Sequence, residues 1–195
     1  MRINEALNLV IPIYGDDDAI ASYVHSMPLS RSAFEANYLL VSATFAAIYS
    51  EGLGETAGPK VAELILKDVA RGRKIDAAPL LNEIRRLSCF IRPGAGGWEN
   101  IPFQQAVDGR MISEEDAAEV MGALVFFTAN SVMLPRKVLR PTLDGAARLW
   151  GAQITSLQPT GWIDGLRTST ATDSSGEMPP AAPASAPIST SSVLV

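Results

Sequence analysis

Residues 113–133 read SEEDAAEVMGALVFFTANSVM, and the periodicity of this run decides the fold class. Ser113 is placed to cap a helix, with Asp116 three residues on. Glu114, Glu115 and Asp116 put negative charge in the first turn, where the helix dipole favours it. Behind them Val120, Leu124, Phe127 and Ser131 recur at spacings of four, three and four. Met121, Val125, Thr128 and Val132 form a second row beside the first, so the apolar stripe is wide. A helix this greasy over so much of its circumference belongs under other elements. The run predicts a core helix and carries no chemistry of its own.

Working outward, the best companion for that helix lies near the front of the chain. Ser30 or Ser32 starts a long helix, the latter with Glu35 in capping-box position. Its apolar positions are Phe34, Tyr38, Val41, Phe45 and Ile48, with alanines at 43, 46 and 47 that let a second helix approach closely. Gly52 and Gly54 end it. The two helices are expected to pack on one another. Ahead of them, residues 7–14 place Leu7, Leu9, Ile11 and Ile13 on one face. A turn at Gly15-Asp16-Asp17-Asp18 and a second strand at 19–25 complete a β-hairpin. Pro12 assigns the first strand to an edge or a bulge.

Further helices are expected from Pro59 to about Arg71, with Val61, Leu64, Ile65 and Val69 inward, and from Asp76 to Leu87, with Leu80, Leu81, Ile84 and Leu87 inward. Arg71-Gly72-Arg73-Lys74 between them reads as a solvated basic link. Residues 88–92 form a short strand, 93–97 a loop, and Trp98 a plug at the core edge. A brief helix covers 102–108. Pro135 stops the central helix, and Arg136, Lys137 and Arg140 beyond it suit a helix C-terminus or an acidic partner, the first being favoured because dipole complementation is so common. Pro141 opens a helix through Trp150. A short helical turn follows, capped by Thr160 and anchored by Trp162 and Leu166. From Arg167 onward the chain is Ser, Thr, Ala and Pro, a composition that cannot bury enough surface to offset its ordering entropy. The expected architecture is therefore mainly α (α+β). One helical domain, 1–166, carries an N-terminal hairpin at about 7–25, and 167–195 is a disordered tail.

The totals narrow function. At 195 residues the chain holds one domain with a real core. A net charge of −5 argues against a general nucleic-acid binder. Residues 36–50 and 120–134 are free of charge but shorter than the roughly 20 residues a membrane span needs. The start lacks the pattern of a secretory signal, and a soluble cytoplasmic protein is expected. The single cysteine, Cys89, excludes an internal disulfide, and its apolar neighbours mark it as a buried, inert thiol.

A search for chemistry is brief. EGLGETAGPK, residues 51–60, fails as a phosphate loop because Pro59 separates glycine from lysine and Val61 takes the hydroxyl position. The glycines at 94, 96 and 97 open no helix and so make no dinucleotide fingerprint. Asp16–Asp18 lack the spaced ligands of a calcium loop. His25, the one histidine, has no Ser or Cys motif to pair with. No zinc-ligand spacing occurs. No catalytic residue, cofactor or metal site is assigned, and an enzyme is not expected.

The order of landmarks does resemble a known group. The hairpin ending in YVHSMPLSR, the helix LLVSATFAAIYSEGLG, the segments LLNEIRRL, GGWENIPFQQAVD, EVMGALVFFTANS and LWGAQITSL, and the polar LRTSTATDSSGE are similar to tail assembly chaperones of long-tailed (lambda-type) bacteriophages, over residues 8–176. The resemblance implies a non-enzymatic protein of the host cytoplasm, coded just ahead of the tape measure protein. Such a chaperone coats that long helical partner until tail tube protein assembles on it, and is often made in two lengths by frameshifting. It implies neither nucleic acid nor membrane as partner and allows a homo-oligomer. Candidate partner-binding residues are Phe126, Phe127, Leu134 and Val138. The rival expectation is a virion-resident component of tail or connector; a small regulatory enzyme or nuclease inhibitor stands third.

Overall fold

The computed structural model describes residues 7–172. Its elements are β1 (Asn8–Tyr14), β2 (Ile20–Ser26), α1 (Arg31–Ala36), α2 (Tyr38–Ser50), α3 (Gly54–Arg73), α4 (Ala78–Arg86), β3 (Ser88–Gly94), β4 (Gly97–Pro102), α5 (Phe103–Asp108), α6 (Glu114–Met133), α7 (Arg136–Leu149), β5 (Gln153–Thr155) and α8 (Pro159–Thr172). The five strands form one antiparallel sheet in the order β4-β3-β2-β1-β5. The protein is thus mixed α+β. The expectation of a mainly helical domain with an appended hairpin is corrected, because the hairpin is the middle of a sheet on which the helices are built.

Strand alternation divides the core in two. Leu9, Ile11, Ile13, Val24 and Phe90 point to one face and pack with α2, α3, α4, α6 and α7. Val10 and Ile91 point to the other, where Trp162 and Ile163 of α8 cover them. The sheet is therefore sandwiched between a thick helical layer and a single strap. Asn8 and His25 lie on the strap side, both with no exposed surface, and both donate to the carbonyl of Leu157 just before α8, His25 through Nε2 at 3.1 Å. Tyr23 meets Trp162 edge-on at 4.8 Å, and Arg167 Nη2 donates to the Trp98 carbonyl at 2.8 Å. Trp162 and Leu166 anchor this segment as expected. Thr160, however, lies inside the helix rather than capping it. The helix also runs to Thr172, past the expected start of the tail at 167; the remaining tail lies outside the described residues.

Pro12 keeps its expected exemption in an unexpected setting. β1 lies inside the sheet, yet β5 pairs only with Asn8, Leu9 and Val10, so it ends before Pro12, and the register with β2 shifts between Ile13 and Tyr14. The expected strand at 88–92 is present as β3, which runs on to Gly94, whereas β4 was hidden because RPGAGGWEN reads as a loop. Gly94 pairs with Gly97 across a tight turn, and the outer strand β4 is polar and mostly exposed, so it offers no hydrophobic run.

The helices begin and end differently from the expected pattern in four places. Ser30, whose Oγ accepts from Ala33 N–H, is the cap of α1; Asn37 then breaks the long helix into α1 and α2, while Glu35 pairs with Arg31 at 2.8 Å instead of closing a capping box at Ser32. α3 starts at Gly54, leaving Pro59 inside it, and continues through the supposed basic link to Arg73, with Lys74 in the left-handed cap. Its buried row is Ala62, Leu66 and Ala70, whereas Leu64 is 65 % exposed. Small alanines were passed over as core markers, although they let α3 lie close to α6. α7 starts at Arg136, with Pro141 inside. Lys137 thus falls in a helix's first turn, not at the C-terminal end of α6 that the sequence suggested.

The central helix does behave as expected. Ser113 Oγ accepts from Asp116 N–H at 3.0 Å, and Val120 through Asn130 are buried save for Ala123, which is half-buried. Its closest neighbour is α3, which meets it at two glycines. A Cβ on Gly122 would stand 2.4 Å from the Pro59 carbonyl oxygen, and one on Gly58 would stand 2.7 Å from the Phe126 ring. α2 packs against both helices, and Tyr49 Oη donates to Asn130 Oδ1 at 2.6 Å. The expected α2–α6 pairing is present, with α3 as a third member.

Candidate functional site

Two features of the helical layer face outward with chemistry to offer. The first is the outer side of α1 and α2. Residues 36–50 carry no charge, and α2 is apolar around its whole circumference. Leu40, Val41, Thr44 and Ile48 fill the inner face. Phe34 and Tyr38 stand edge-to-face at 5.7 Å across the α1–α2 junction, and Phe45 and Tyr49 lie 4.7 Å apart two turns beyond Tyr38; Phe34, Phe45 and Tyr49 are half-buried. Leu39 is 61 % and Tyr38 51 % exposed. A helix of this composition is normally covered on all sides. Here Tyr38 and Leu39 are left open to solvent.

The second feature is a cavity of about 160 Å³ between the β1–β5 end of the sheet and helices α6 and α7. Leu9 and Ile11 supply its sheet wall, Phe126 and Phe127 its floor, and Leu143 and Ala146 its α7 wall. These side chains are buried and purely apolar. The mouth is different. Asp116 and Glu119, one turn apart on α6, stand at it with Tyr14 and Trp150. Asp116 accepts from the Ser113 hydroxyl at 2.6 Å, and among the described residues neither carboxylate forms an ion pair.

The four residues singled out from the sequence separate in space. Phe126 and Phe127 are 3 % and 1 % exposed, so they line the cavity from beneath and present no open surface. Leu134 is half-buried against the core, and Val138 is 48 % exposed on α7; neither lines the cavity. Phe126 and Phe127 thus offer no exposed surface, because α6 is covered around most of its girth. The mouth residues Tyr14, Asp116, Glu119 and Trp150 were missed. Only the three-residue spacing of Asp116 and Glu119 beside Val120 was visible beforehand, and it reads as an ordinary polar edge.

The remaining candidates have local explanations. Burial pushes the Cys89 thiol up to about 11, and its Sγ–H points to the His25 carbonyl at 3.5 Å. His25 is held below its ordinary pKa, chiefly by burial. A carbonyl can only accept, so Nε2 carries the proton and Nδ1 is left without a partner. Asp17 accepts from Ala19 N–H at 3.2 Å within its turn. Among the described residues no group of three His, Cys, Asp or Glu side chains gathers to hold a metal, and no helix is long and apolar enough to cross a membrane. Comparison with family models, curated proteins and solved structures finds no match to this chain.

Proposed function

We propose that this protein is a non-enzymatic tail assembly chaperone of a long-tailed bacteriophage, acting in the host cytoplasm to keep the tape measure protein soluble until tail tube protein assembles around it. The observation that carries the reading is the apolar outer side of α1 and α2, where Tyr38 and Leu39 are exposed beside the half-buried rings of Phe34 and Phe45. An exposed apolar strip of this kind is a partner surface, and one with helical spacing suits the apolar stripe of an amphipathic helix. The net charge of −5 suits a carrier, since like-charged complexes repel one another and resist aggregation. The likeness of segments such as LLVSATFAAIYSEGLG and EVMGALVFFTANS to the chaperone group supplies the identity of the partner.

The test is co-expression with the long helical protein coded next to this one. That protein should move from the insoluble to the soluble fraction and co-purify. Absence of both effects removes the chaperone reading. Purified particles then discriminate against a structural role: fixed copies of this chain in mature phage would make it a tail component instead.

A further inference from the structure

The acid-mouthed cavity is separate from the ring-bearing strip, and its chemistry is more specific. Its size compares with the engineered cavity of about 150 Å³ that admits a benzene molecule, so it takes one ring or one branched aliphatic side chain. The walls formed by Leu9, Ile11, Phe126, Phe127, Leu143 and Ala146 hold no donor or acceptor to orient a polar body. All formal charge at the mouth is negative, and no cationic side chain lines the cavity. Tyr14 and Trp150 add aromatic faces at that mouth, which also favour a cation. An anion would meet repulsion there, and a neutral group would leave the two carboxylates unmatched. A small inorganic cation would leave the apolar interior unfilled.

We propose that this cavity is an anchor site for a partner helix, taking one aromatic or branched aliphatic side chain whose neighbour one turn away is Lys or Arg, held by Asp116 and Glu119. On a helix, residues three or four apart share a face, so a single turn can supply both the plug and the charge. The identity of the partner rests on the function proposed above; the chemistry of the site does not.

Two measurements on the full chain separate these claims. The first titrates the protein with phenethylammonium, phenethyl alcohol and 3-phenylpropionate, following Trp fluorescence and amide shifts of 116–127 and 143–154. Phenethylammonium should bind about tenfold more tightly than the alcohol, and the carboxylate more weakly still. Glu119→Gln should reduce that preference, and Ala123→Leu should weaken all three ligands. Equal binding of the three, or none, overturns the site. The second repeats co-expression with Glu119→Lys, an exposed change that leaves the core alone, beside Ala123→Leu. Lower recovery of the partner with both variants supports the anchor. Recovery equal to wild type overturns the anchor role yet leaves the chaperone reading standing, whereas failure of the wild-type chain to recover the partner overturns that reading and the anchor role with it.

Discussion

Gly122 is glycine because of what faces it. The Pro59 carbonyl oxygen would lie 2.4 Å from an added Cβ, and backbone cannot step aside as a side-chain end can. Gly122→Ala should therefore destabilise the protein by about 1–3 kcal/mol, the usual cost of overpacking, seen as a lower midpoint in urea with an unchanged slope. Gly72, with open space around it, is the control: alanine there should be neutral or slightly stabilising. His25 gives a pH signature. Its pKa is lowered in the folded state, so between that value and the unfolded value near 6.5 the unfolded chain binds more protons. This contribution is complete above the unfolded pKa and is lost as pH falls toward the folded one. Denaturation midpoints should drop between pH 7.5 and 5.5, and His25→Gln should show a smaller drop; an equal drop would place the dependence elsewhere.

At the scale of elements, α8 acts as the cover of an otherwise open sheet face. Trp162 and Ile163 of α8 join Val10 and Ile91 in the smaller core, with Tyr23, Trp98 and Leu166 packed around them. Trp162→Ala removes the largest of these side chains and should cost about 3–5 kcal/mol. Hydrogen exchange should then rise first in β3, β4 and α8 and leave α6 protected. The opposite pattern would mean that the strap and the helical layer unfold as one. The Leu157 carbonyl explains why the strap sits where it does. It accepts from both Asn8 and His25, so the turn before α8 is fixed to β1 and β2 by two buried donors.

For the molecule as a whole, the proposed partner strip uses the side of α2 turned away from the core. α2 stabilises the fold with Leu40, Val41, Thr44 and Ile48, while Tyr38 and Leu39 face solvent. Leu39→Asp should leave the thermal midpoint within a few degrees of wild type, as exposed substitutions usually do, and should lower co-purification of the tape measure protein at least several-fold. Unchanged co-purification would remove the strip from the proposed interface.

The helices were legible as elements, though not in all their bounds or buried rows, where the periodicity is local: SEEDAAEVMGALVFFTANSVM contains its cap, its acidic first turn and its buried rows within one stretch. So were β1 and β2, whose alternation is local too. β4 and β5 were not, since a polar edge strand and a three-residue strand are strands only by virtue of the neighbours that bond to them. The buried alanines of α3 were equally silent, because a small side chain marks a core only when another helix lies against it. Tertiary structure alone brought Tyr14, Asp116, Glu119 and Trp150 to one mouth. They come from β1, from α6 and from the residue that ends α7, and no local pattern encodes a meeting across such separations in the chain. Local physics thus wrote the elements, and the long-range packing of sheet on helices decided which of their edges became a site.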